Sequence, residues 1–193
     1  KYINLNNMKV SVVMASCNPD LKKLGLAINS ILNQTFQDYE IIIVDDGSKK
    51  PIENCIKSIT QDSRIKVLRI NNSGLGAALN HGIRFSSGEY IARLDDDDMM
   101  VISRLQKQVD FLDKNQDVSC VGTFHYDMIE KKSYKHRKFP TGHNQIVESL
   151  INCRFSLAHT TLMFRRTSFD KIGGYRIQRG GQDLDLELQL GSV

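Results

Sequence analysis

The chain has 193 residues, 40% hydrophobic and 25% charged, with 26 Lys+Arg against 22 Asp+Glu and a formal net charge of +4. That is the composition of an ordinary globular domain with a real core. The charge is too mild to argue for nucleic acid as a partner, and no apolar run approaches the roughly 20 residues of a membrane-spanning helix.

Residues 1–8 read as a polar lead-in. The β-branched and apolar run 9–15, KVSVVMA, is broken by Asn18-Pro19 and predicts a buried strand followed by a turn. Leu21, Leu24, Ile28, Ile31 and Leu32 recur at helical spacing and predict a helix over 21–33. The continuous run 39–44, YEIIIV, ends at Asp45-Asp46-Gly47-Ser48 and suits a parallel strand covered on both faces. A helix over 52–60 and a strand over 65–70, IKVLRI, follow. Asn71-Asn72-Ser73-Gly74 form a turn into a helix over 75–86, and a strand over 90–94 delivers four consecutive aspartates, Asp95 to Asp98. Residues 103–114 are amphipathic, with Ser103 as N-cap, and 118–124, VSCVGTF, read as another strand.

After residue 124 the pattern weakens. KKSYKHRK, 131–138, is a basic hydrophilic run, and HTTLMFRR, 159–166, reads as a strand ending in two arginines. GGYRIQRGG, 173–181, is a glycine-rich loop. In QDLDLELQL the leucines alternate with period two, which alone suggests a strand. The segment has no β-branched residue, however, and Leu, Glu and Gln favour helix. A helix packed on two sides is therefore expected.

The alternation of strands and helices implies an α/β fold with a mostly parallel central sheet, helices on both faces and right-handed crossovers. Ligands of such sheets bind beyond the carboxyl ends of the strands. Asp45-Asp46 and Asp95 to Asp98 each follow a strand directly and so belong on that edge. Adjacent carboxylates persist where a cation neutralises them. Mg²⁺ takes one or two protein carboxylates and completes its shell with phosphate oxygens and water. Each cluster taken alone has a plainer explanation: an acidic turn before helix 103–114, or a strand-to-turn signal at Asp45. Two of them on one edge favour a nucleoside diphosphate held through a metal. Cysteines 17, 55, 120 and 153 form no C-x-x-C pair and read as free thiols of a reducing, cytoplasmic compartment. Only Cys17 falls beside the expected site.

VSVVMASCNPD, DYEIIIVDDGS, SGLGAALNHGI, GEYIARLDDDDM, HTTLMFRR and GGYRIQRGGQDLDL stand in the order and approximate spacing of the family 2 glycosyltransferases, with the GT-A (Rossmann-like) fold. The resemblance covers about residues 9–190 and implies one GT-A domain over 9–193, truncated at its C-terminus. It also implies a nucleotide-sugar donor, with UDP-sugar favoured, and inverting transfer to a hydroxyl of a saccharide or lipid-linked saccharide. By this resemblance the backbone at Ala15 and Cys17 lines the base pocket, Asp46 contacts the base and Asp96 the ribose. Asp97 ligates Mn²⁺ or Mg²⁺, supported by Asp95 and Asp98, and Asp183 is the catalytic base. Arg93 and Asn80 match recurrent positions that can equally be structural, and His159 and Arg165 match positions near the donor or acceptor. The sequence departs from the family at Ala15-Ser16-Cys17-Asn18, where Thr or Ser then Tyr-Asn is usual, and at Gln182, where Glu is usual.

Two other functions fit less well. A nucleotidyltransferase normally has a glycine-rich basic loop after its first strand, where this chain has SCNPD. A non-catalytic nucleotide-sugar-binding module is compatible with Gln182. The family's usual role suggests bacterial surface polysaccharide, O-antigen or capsule assembly. The run 131–138 adds a possible contact with anionic lipid at the inner face of the membrane.

Overall fold

Apolar alternation builds the sheet from its middle outward. In β1 (Val10–Ser16), Val12 and Met14 face one side and Val13 the other; in β2 (Tyr39–Asp46), Ile41 and Ile43 oppose Ile42 and Val44. Every residue of β2 is buried, as a strand covered on both faces requires. β1 pairs in parallel with β2 and with β4 (Tyr90–Arg93), and β3 (Ile65–Ile70) pairs in parallel with β2. The connecting helices are α1 (Leu21–Leu32), α2 (Glu53–Ile59) and α3 (Leu75–Arg84). The computed structural model describes residues 8–129, 133–154, 156–176 and 180–193.

One core layer joins β1, β2 and β4 to α1, α2 and α4 (Arg104–Lys114) through Leu24, Ile28, Ile56, Leu105 and Leu112. The opposite layer packs α3 beneath the sheet through Ala78, Leu79 and Ile83. Gly82 permits that approach, because a Cβ there would lie 2.8 Å from Val13 Cγ1 and 2.9 Å from Val44 Cγ2.

The second half departs from expectation. The strand expected over 118–124 is only β5 (Cys120–Val121), because Gly122 follows and the Thr123 N–H turns to Thr161 Oγ1 at 3.0 Å. The run 159–166 divides into a 3₁₀ turn (His159–Thr161), β8 (Met163–Arg165) and α6 (Arg166–Ile172). β8 inserts between β4 and β5 and runs antiparallel to both, giving the order β3-β2-β1-β4-β8-β5. Part of the basic run forms β7 (Ser133–Arg137), which pairs with β6 (His125–Ile129) in a separate hairpin; residues 131 and 132 lie outside the described residues. After α5 (His143–Ile151) and α6, the segment 182–190 is helical, as α7 (Gln182–Leu190). Leu186 and Leu190 are buried while Leu188 is 39% exposed, so α7 packs on one face and not on two. Ser103 occupies the N-cap position of α4 but makes no capping bond with its side chain, whereas Asp20 caps α1 through the N–H groups of Lys22 and Lys23.

Candidate active site

The parallel strands β1, β2 and β4 deliver three loops to one edge. After β1, Asn18 takes a left-handed conformation, φ 52°. Its Oδ1 accepts the Lys49 N–H and its own N–H donates to Ser48 Oγ, both at 2.9 Å. The first loop is thereby tied to the second. Cys17 is exposed on this edge, its Sγ 3.5 Å from the side-chain amides of Asn18 and Asn72, while Ala15 is half-buried beside Val44.

At the end of β2, Asp45 Oδ1 accepts the Ser48 N–H at 2.9 Å, and Oδ2 accepts from Ile52 N at 3.3 Å and from the Arg69 guanidinium at 2.5 Å. Burial acts to raise this carboxyl, but those donors outweigh it and hold Asp45 below the usual range. Asp46 accepts from Ser73 N at 2.7 Å and from Gly74 N at 2.9 Å, fixing the entry to α3, whose N-cap Gly74 has no side chain to offer. Each oxygen of Asp46 keeps a second lone pair, so it can still accept a base N–H.

The end of β4 is different. Asp95 Oδ1 pairs with the buried Arg93 guanidinium at 2.5 Å, and its N–H donates to Thr160 Oγ1 at 3.0 Å. Asp96 accepts from the Ser16 hydroxyl at 2.6 Å, Asp97 meets Lys23 Nζ at 3.3 Å in solvent, and Asp98 draws on the Thr160 hydroxyl. Burial, reinforced by repulsion from Asp95 and Asp97, raises the carboxyls of both Asp96 and Asp98 against the help of those hydroxyls. Arg93 does not reach outward: it also donates to its neighbour's carbonyl, Leu94 O, and its Nε has no hydrogen-bond partner among the described residues. Its place is behind the aspartates, holding Asp95.

His159 and α7 close the site from the far side. Asp183 lies half-buried in the first turn of α7, close enough to His159 to act on its ionisation, as do Asp95 and Arg93. Burial and Arg93 outweigh the two acids and push the imidazole down to about 4, so it is neutral at physiological pH. One turn further on, the buried Glu187 has no hydrogen-bond partner for its carboxyl among the described residues, and desolvation with repulsion from Asp183 lifts it to about 8. Gln182 lies against Gly76 of α3.

Arg165 is brought elsewhere. It pairs in register with Tyr90, at the start of β4, and its guanidinium binds the carbonyls of Leu112, Asn115 and Val118. That is the amino end of the parallel strands, beside a cavity of about 580 Å³ lined by Lys9, Asp38, Gly88, Glu89 and Arg166. The expectation that Arg165 faces donor or acceptor is corrected accordingly: the antiparallel course of β8 carries it to the opposite edge. The residues that sequence reasoning missed are Ser16, Thr160, Lys23, Tyr175 and Glu187. A hydroxyl at a strand end gave some signal for Ser16; the others become neighbours only through tertiary contact.

Among the described residues no three His, Cys, Asp or Glu side chains converge as a metal cage. The donor set still fits a hard divalent cation that takes most of its shell from phosphate and water. The carboxylates are oxygen donors, and burial with repulsion from Asp95 and Asp97 raises two of them, Asp96 and Asp98.

The sheet order, the acidic edge and the closing helix define a GT-A α/β domain, the class that the sequence resemblance implied. The model of the family described as "Glycosyl transferase family 2" matches residues 11–177, and the chain belongs to that family. The O-antigen biosynthesis glycosyltransferase WbnJ of Escherichia coli is 34% identical over 184 residues, covering 94% of this chain and 71% of that protein. S. aureus TarS 1–349 in complex with UDP-GlcNAc superposes with TM-score 0.71 at 19% identity, over 95% of this chain and 53% of that one. The mannosyltransferase PcManGT of Pyrobaculum calidifontis, in complex with GDP-Man and Mn²⁺, gives TM-score 0.69 at 16% identity over 91% of this chain and 50% of that one. The chain thus spans about half the length of the solved structures it matches. No helix among the described residues is long and apolar enough to cross a membrane.

Proposed function

We propose that residues 9–193 act as the donor-binding and catalytic unit of an inverting glycosyltransferase. It moves a sugar from a nucleoside-diphosphate donor, uridine-based, to a hydroxyl of a saccharide or lipid-linked saccharide in surface polysaccharide assembly. The observation that carries this reading is the under-neutralised pair Asp96 and Asp98 at the end of β4, with Asp183 of α7 beside His159. The name of WbnJ supports the polysaccharide role, and the ligand of TarS supports the uridine donor.

The acceptor hydroxyl attacks the anomeric carbon on the face opposite the diphosphate. Its oxygen forms the new bond as the bond to the diphosphate breaks, and Asp183 takes its proton. One displacement inverts the centre and needs no protein nucleophile. Asp183 sits in the first turn of α7. Asp96 holds the ribose, Asp46 and the backbone of Ala15 and Cys17 form the base wall, and Asp95 is braced by Arg93. Asp97, with Asp95 and Asp98 in support, would hold Mn²⁺ or Mg²⁺, which when bound would neutralise charge on the leaving diphosphate. The basic run beyond β6 gives a peripheral contact with anionic lipid on the cytoplasmic face; replacing Lys131, Lys132, Lys135 and Lys138 with Gln should weaken liposome binding.

The test is a thermal-shift panel of UDP, dTDP, GDP and CDP, each with and without Mn²⁺. UDP with Mn²⁺ should stabilise the wild type by about 2.7 kcal/mol at a hundred times its Kd. Asp97→Asn should lose the metal-dependent part. Asp183→Asn should keep nucleotide binding and lose transfer, by roughly 10²-fold or more. Wild-type turnover by Asp183→Asn, or no nucleotide shift in the full-length wild type, refutes the proposal.

A further inference from the structure

His159 opens the 3₁₀ turn whose next residue, Thr160, accepts the Asp95 N–H at 3.0 Å, so the imidazole is pinned to the end of β4. Its Nε2 lies 2.8 Å from the Tyr175 hydroxyl, with the two rings at 82°. Tyr175 is itself held hard. Its N–H donates to Asn80 Oδ1 at 2.9 Å and its carbonyl accepts from Asn80 Nδ2 at 2.8 Å, so one side-chain amide grips both backbone groups. The ring stacks edge-on against Phe169 and only 4% of the residue is exposed. Gly174, at φ +83°, makes room for the grip: a Cβ there would lie 2.8 Å from Asn80 Oδ1.

The Arg93 guanidinium also stands beside the phenol. Arginine only donates hydrogen bonds, so it cannot take the phenol's hydrogen. The positive charge of Arg93 acts on the phenol from one side and favours an oxygen turned toward it, so the O–H points to the hydrogen-bond partner on the other side, His159 Nε2. A neutral imidazole whose Nε2 accepts must carry its proton on Nδ1. Burial and Arg93 keep this ring neutral. Among the described residues Nδ1 has no hydrogen-bond partner.

We propose that Tyr175 is a positioning residue that fixes His159 as the Nδ1–H tautomer, so that the ring presents a neutral donor to an oxygen of the bound nucleotide sugar. The inference rests on the transferase reading for its ligand. A neutral donor suits this place, between the Asp95 and Asp183 carboxylates, because it holds a sugar hydroxyl or phosphate oxygen without pairing with the base and blocking it.

The test is a ¹⁵N–¹H spectrum of the histidine rings in the full-length protein, with His159 assigned by its loss in His159→Gln, together with sugar-transfer kinetics. The wild-type ring should show Nδ1–H, and Tyr175→Phe should shift it toward Nε2–H. Transfer by Tyr175→Phe should fall roughly tenfold, the loss of one hydrogen bond's worth of alignment. Unchanged UDP–Mn²⁺ affinity in that variant assigns the oxygen to the sugar; weakened affinity assigns it to a phosphate. His159→Asn puts an amide N–H where Nδ1 stood, so Tyr175→Phe should cost little in that background. An Nε2–H ring in the wild type overturns the proposal, as does a tautomer or rate unmoved by Tyr175→Phe, or an equal penalty in the His159→Asn background. If Tyr175→Phe does not fold, the wild-type spectrum and a higher rate for His159→Asn than for His159→Gln decide it; the reverse order refutes it. Failure of the transferase reading shows separately, as a wild type without nucleotide binding, because the ring spectrum does not depend on turnover.

Discussion

At the end of β2, Asp45 and Asp46 commit their oxygens to the backbone of Ser48, Ile52, Ser73 and Gly74 and to Arg69. At the end of β4, one strand beyond β1, Asp96 and Asp98 have a hydroxyl each and two acidic neighbours. The two clusters look alike as sequence and sit on one edge, yet the first holds the loops and the second holds charge that the fold leaves uncompensated. A carboxylate that closes a loop is a structural part. One kept under-neutralised at a strand end is a place for a cation or a ligand's donors.

The most damaging way to break this contrast is Asp45→Ala. It strands the Arg69 contact and two backbone N–H groups, and should cost about 3–5 kcal/mol, read from urea denaturation. Asp45 and the pair at β4 should also answer acid in opposite directions. Asp45 is held low when folded, so its contribution is present above its unfolded value and is lost as pH falls through its folded one. Asp96 and Asp98 are raised, so what they contribute is present below the unfolded value and lost as pH rises through the folded one.

Glu187 extends the second group and sharpens the comparison next. Raised to about 8, it costs stability progressively as pH climbs from the ordinary glutamate range to 8, because the unfolded chain releases that proton first. Glu187→Gln should therefore add about 1–3 kcal/mol at pH 8 and little at pH 4, measured as Tm against pH. Asp96→Asn keeps an acceptor for Ser16 and removes the repulsion, so the free protein should gain under about 1 kcal/mol at pH 7 while losing nucleotide affinity with or without metal. The smallest effect belongs to Lys23→Ala. Its contact with Asp97 is exposed on both sides, 56% and 54%, and should be worth under about 0.5 kcal/mol, vanishing in high salt.

Much of the site was legible because strand-end residues follow from the period of the chain. Once 9–15, 39–44 and 90–94 read as parallel strands, Asp45, Asp46 and Asp95 to Asp98 had to share an edge. Arg165 was misplaced because periodicity says nothing about strand direction, and β8 runs antiparallel. The weak second half had another cause: β5 and β8 have two and three residues, too short to show a period.

The sequence by itself determined the α/β order, the two-faced core and the acidic edge, because runs of apolar residues and their breaks are local properties. Only the tertiary structure decided which carboxylates are satisfied, that Tyr175 meets His159, 16 residues away, and that Glu187 is buried with no opposite charge beside it among the described residues. Those outcomes depend on which donors and charges the packing brings within a few ångströms, and distance in space is not written in distance along the chain.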